Sequence, residues 1–111
     1  MRSALPVEPV SVSVRLSGPS SVLSRIRPGD ADFGGIDNEL AALARVVSVG
    51  RTRGLSNESA EADVQLIAQL QRVNQTWLYD SAPLRVGATI TLRTPGYEIS
   101  GIVTDIAAPK Q

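Results

Sequence analysis

One phrase occurs twice in this chain. Ile26-Arg27-Pro28-Gly29-Asp30 in the first half is answered by Leu84-Arg85-Val86-Gly87-Ala88 in the second. Each follows a β-like stretch and a less regular connection, and each leads toward another run rich in valine and isoleucine. A β unit written twice can pack about a pseudo-twofold axis, and closing the pair removes the unpaired strand edges an open sheet would expose. The expectation is a mostly β fold: a small closed or partly open barrel of about six strands, with pseudo-twofold duplication of a β unit and one short helix.

Local patterning supplies the strands. Val10, Val12, Val14 and Leu16 alternate with Ser11, Ser13, Arg15 and Ser17, the period-two mark of a half-buried strand, and Gly18-Pro19 stops it. Pro19 suits the first position of a short helix carrying Val22, Leu23 and Ile26 on one side, with Ser17 or Gly18 as its cap. Pro28-Gly29-Asp30 is a turn, and Gly34 to Asn38 reads as an exposed loop. Leu40 to Val49 is a second strand whose even positions, Ala42, Ala44, Val46 and Ser48, are small enough for both faces to be covered. Gly50 to Ser59, with Arg51, Arg53, Gly54, Ser56 and Asn57, reads as the clearest loop.

Over residues 62–73, alternation of Val64, Leu66, Ala68 and Leu70 with polar neighbours favours a strand. Glu61, Gln65, Gln69 and Arg72 leave a helix as the alternative. Asn74 to Ala82 reads as a connection. Ala88 to Leu92 alternates again, Thr94-Pro95-Gly96 is a tight turn, and a last strand runs from Tyr97 to Ile106 with Gly101 as a bulge or barrel-corner bend. Aligned by eye, Val10–Leu16 matches Val64–Leu70, Gly29 matches Gly87, and Ala44–Val49 matches Gly101–Ile106. The expected organisation is a tail over residues 1–8, one domain over 9–106, and a tail over 107–111.

Composition narrows function by exclusion. Eleven basic residues balance eleven acidic ones, so the basic excess that nucleic-acid binding draws on is missing. With neither cysteine nor histidine, thiolate metal sites, disulfides and the commonest general base are excluded. No apolar run reaches the length of a membrane span, and residues 1–6 are too short and polar for a signal peptide. No nucleophile has an evident base, Gly18-Pro19-Ser20-Ser21-Val22 is no nucleophile elbow, and no phosphate loop is present. No enzyme, cofactor or metal is expected.

Pro83, Leu84, Val86, Gly87, Ile90, Leu92, Thr94, Tyr97, Ile99, Gly101 and Val103 together give a distinctive block. It resembles the closing block of an uncharacterised bacterial family of small β-rich extracytoplasmic domains, normally anchored by one N-terminal membrane helix. Val10–Leu16 and the Gly29-Asp30 turn fit that family's looser first half. The resemblance implies a place in the periplasm or cell envelope and brings no reaction with it. The anchor is absent here, so the expectation is a trimmed or unanchored member, reaching a membrane only through a missing anchor or a partner.

Candidate sites are few. Asp30 and Asp32, with Asp37 and Glu39 nearby, hold enough carboxylates for a divalent cation, but turn aspartates ordinarily bond their own backbone and the spacing fits no calcium loop. Arg45, Arg51 and Arg53 form an anion-binding rim or, more plainly, a solvated surface. Trp77 and Tyr79 hold half of the chain's four aromatics, as a plug in one barrel end or as an anchor for a partner. The leading expectation is a non-catalytic structural or adaptor domain of an envelope assembly, touching a protein partner or larger complex through Trp77, Tyr79, Arg51 and Arg53. The alternative is a barrel mouth lined by Arg51, Arg53 and the Trp77 segment, binding an anionic glycan or lipid head group.

Overall fold

A computed structural model describes residues 7–32, 43–79 and 82–107. In chain order the elements are β1 (Val7–Pro19), α1 (Ser20–Leu23), β2 (Ala31–Asp32), β3 (Ala44–Gly54), β4 (Ser59–Val73), β5 (Thr76–Tyr79), β6 (Ala82–Leu84), β7 (Thr89–Thr94) and β8 (Tyr97–Ala107). One antiparallel sheet runs β2-β3-β4-β1-β8-β7, and β5 and β6 branch from β4. It curls until β2 lies beside β7, which nearly closes a six-strand barrel.

Alternation decides what faces inward. Val10, Val12, Val14 and Leu16 of β1 are fully buried, opposite Ala62, Val64, Leu66, Ala68 and Leu70 of β4, each at most 1% exposed. Ala44 and Val46 from β3, Ile90 and Leu92 from β7, and Ile99 and Val103 from β8 complete the wall, with Leu23 and Ile26 packed into it. Each fully buried valine or leucine stabilises the fold by about 1.5–3 kcal/mol. The interior is filled by side chains.

The duplication is written in the backbone. The Gly29 N–H donates to the Val46 carbonyl at 2.8 Å, and the Val46 N–H returns to the Asp30 carbonyl at 2.8 Å. In the second half the Gly87 N–H donates to the Val103 carbonyl at 2.8 Å, and the Val103 N–H returns to the Ala88 carbonyl at 2.9 Å. Both glycines sit in the left-handed region, at φ 97° and 95°, where a Cβ is strained. Val46 pairs with Leu66 and Val103 with Val14, so β3 corresponds to β8 and β4 to β1. One irregularity agrees as well: Val47 is the unpaired residue of a bulge between β3 and β4, and Thr104 holds the same place between β8 and β1, whereas a second bulge of β3, between Val49 and Thr52, has no counterpart.

Several expectations change at their boundaries. The first strand begins at Val7, inside the expected tail, and runs through Gly18 to Pro19, so α1 starts at Ser20 with Pro19 as its cap. The last strand reaches Ala107. The strand reading of residues 62–73 holds over the whole of β4. Gly50–Gly54, expected as loop, belongs to β3: after a bulge at Gly50 and Arg51, Thr52, Arg53 and Gly54 pair with Ala62, Glu61 and Ala60 of β4. The connection expected over 74–82 begins as a hairpin: Asn74 and Gln75, at φ 52° and 69°, make the two-residue turn between β4 and β5. The aligned β1 and β4 segments slip by two residues, Val14 corresponding to Leu66 where the sequence match set it against Ala68.

Gly101 lies three residues before Thr104, the bulge residue of β8, in a stretch pressed against β1. A Cβ there would run into the Arg15 carbonyl oxygen and stand 2.8 Å from the Leu16 Cα. The 34–38 loop and the Leu40–Ala42 start of the second strand lie outside the described residues. So do Asp37 and Glu39.

Candidate functional site

The residues expected to form one contact surface are spread across the barrel. Arg53 pairs with Glu61 near the start of β4, whereas Trp77 pairs with Arg72 near its end. At roughly 3.3 Å per residue these places lie about 36 Å apart along the strand. Among the described residues Arg51 and Arg53 stand near one end of β4 and Trp77 near the other, so they do not line one mouth together.

Each residue also has its own circumstances. Tyr79 is buried in the core, and its hydroxyl donates to Asp32 Oδ2 at 3.1 Å, so it offers no surface to a partner. Trp77 is half-buried, packed on the core, with the Arg72 guanidinium carbon 5.0 Å from its ring centroid. That contact is a cation–π pair that shields one ring face. Arg53 is held by two bonds to Glu61 Oε2, at 3.0 and 2.7 Å, and by Asp63 at 3.5 Å. Asp63 in turn accepts from Arg15 Nε at 3.1 Å. The Arg15 hydrogen bond, helped by Arg53, holds the Asp63 carboxyl below its usual range, and the Glu61 hydrogen bond raises Arg53. Arg51 alone of the expected residues is exposed and outside any ion pair among the described residues.

The two turn aspartates are spent on tyrosines. Asp30 Oδ2 accepts from the Tyr97 hydroxyl and from the Arg27 N–H, and burial followed by the Asp30 contact pushes the Tyr97 phenol well above its ordinary range. Asp32, 2% exposed, takes the Tyr79 hydroxyl and the Arg93 N–H at 3.2 Å, joining β2 to β7. No group of carboxylates fit to hold a metal ion occurs among the described residues.

Two features were missed from sequence. Asp32, flagged there as a ligand candidate, is a buried strand residue; its place relative to Gly29, matching that of Ile90 to Gly87, was the available signal. The other is an open strand edge. Gly29 to Asp32 cover the outer side of β3 only as far as Val46, so from Val47 to Gly54 the strand has β4 on one side and no strand on the other among the described residues. Beside it, a shallow depression of about 530 Å³ on the outer face is lined by Ser13, Arg15, Ser48, Asp63, Gln65 and Thr104. Comparison with protein-family models, with curated proteins and with solved structures finds no match in any of the three.

Proposed function

We propose that this chain is a non-catalytic structural or adaptor domain of a bacterial cell-envelope assembly, acting through contacts with another protein. The observation that supports it best is the open side of β3. A strand with one side unpaired and an arginine outside any ion pair, both among the described residues, offers backbone and charge to a partner. An interior built of valine, leucine and alanine suits a scaffold better than a site of chemistry. The envelope location rests on the resemblance of Pro83–Val103, and the balanced charge argues against nucleic acid as the partner.

Measuring the particle mass of the tagged chain, isolated under native conditions from its host, tests this reading. A stoichiometric complex with a second protein supports it. An isolated monomer throughout, or a turnover that survives purification and disappears with one side-chain change, overturns it.

A further inference from the structure

The open edge of β3 differs from an ordinary protected edge in its charges. From Ala44 to Gly54 the strand has three arginines and no acidic residue. Arg53 is neutralised by Glu61 and Asp63; Arg51 is not. At the near end, where the Gly29 turn covers Val46, Arg45 donates to the Gly29 carbonyl at 3.0 Å and Arg27 to the Ser24 carbonyl at 2.7 Å. Both cations are satisfied by neutral carbonyls and keep their charge.

Two occupants of such an edge can be compared. A second copy pairing β3 against β3 would set arginine-rich strands beside each other, and like charges facing across a strand pair are destabilising. An extended acidic segment would meet the same positions with opposite charge, while its backbone bonds the unpaired groups of Val47–Gly54. Bulges at Val47 and between Val49 and Thr52 interrupt the straight run, so the complementary stretch is short.

Resting on the adaptor reading, we infer that the outer edge of β3, Ser48–Gly54, is a docking site for a short acidic segment of a partner protein, added as an antiparallel or parallel strand. Backbone pairing supplies the attachment; Arg51, with Arg45 and Arg27 at the near end, selects the charge.

The test uses the full labelled chain and a capped peptide of about seven residues alternating glutamate with valine and threonine, at low ionic strength. Amide NMR shifts should saturate at millimolar peptide and cluster on Ser48–Gly54. A lysine-for-glutamate peptide should give none. The same glutamate peptide N-methylated on every residue should lose binding, because strand addition needs its N–H groups. Arg51→Glu should weaken the glutamate peptide roughly fivefold, the scale of an exposed charge pair.

Equal binding of the N-methylated peptide would reduce the effect to charge alone and overturn strand addition. Silence of the glutamate peptide, shifts centred elsewhere, or concentration-dependent self-association through Ser48–Gly54 would each overturn the assignment. A stoichiometric protein complex whose crosslinks avoid β3 would remove this inference and leave the adaptor reading standing.

Discussion

The Tyr79 hydroxyl donates to Asp32 Oδ2 at 3.1 Å inside the barrel. Asp32 pairs with Ala44 as Ile90 pairs with Gly101, so a carboxylate stands in one half where the other has an isoleucine. The same Oδ2 takes the Arg93 N–H, which bridges β2 to β7 at the one junction where the sheet closes on itself.

Asp32→Ala should therefore cost about 2–4 kcal/mol, since it removes the acceptor from buried donors. Tyr79→Phe should cost about 1 kcal/mol. Asp32→Ile, which makes the halves alike, should also destabilise by leaving the same donors unsatisfied. Urea midpoints at neutral pH check the series, and an Asp32→Ile variant as stable as the parent would show that the carboxylate does not hold the closure.

Glycines of the two kinds should separate cleanly. Gly87→Ala meets open space, so its cost is the left-handed backbone alone, about 1–2 kcal/mol. Gly101→Ala drives a methyl into the Arg15 backbone and should exceed about 3 kcal/mol or prevent folding. Expression yield and thermal unfolding measured side by side distinguish the two.

Gln75 takes a positive φ of 69° in the β4–β5 turn, a conformation glycine adopts without cost. Gln75→Gly should stabilise the protein by about 0.5–1 kcal/mol, seen as a higher denaturation midpoint.

Two groups set opposite limits in pH. The Tyr97 phenol titrates higher folded than unfolded, so its contribution is complete below about pH 10 and is lost as pH rises toward the folded value. Tyr97→Phe should flatten the alkaline fall in stability. The Asp63 carboxyl titrates lower when folded, so its contribution is present above about pH 4 and fades as pH drops through the folded value. Asp63 is more than half exposed, so Asp63→Asn should remove only roughly a few tenths of a kcal/mol of acid sensitivity. Urea titrations from pH 3 to about 11.5 measure both limits.

The sequence was most legible where one face is buried. β1, β4, β7 and β8 announce themselves by alternation, and the repeated glycine phrase located both turns. The two-residue slip between β1 and β4 was invisible because a period-two pattern is unchanged by a shift of two. Only the pairing of distant strands fixes it. Gly50–Gly54 looked like loop because its side chains are exposed and rich in glycine and arginine; what makes it strand is hydrogen bonding to β4. Trp77 and Tyr79 were rightly seen as unusual, but two residues apart on one strand they have different environments, one half-buried against Arg72 and the other inside. The open edge was illegible because an unpaired backbone leaves no composition behind it.

Val47 and Thr104 act as spacers, one in each half. Each adds a residue to its strand without adding one to the neighbour, and each lies between stretches whose buried side chains must all face inward. The extra residue breaks the period of two in the sequence but not in the sheet: Val46 and Val49, three apart, both turn toward the core beside Leu66 and Val64, as Val103 and Ile106 do beside Val14 and Val12. The inward face is continuous across the sheet although its rhythm along the chain breaks, and this happens in both halves.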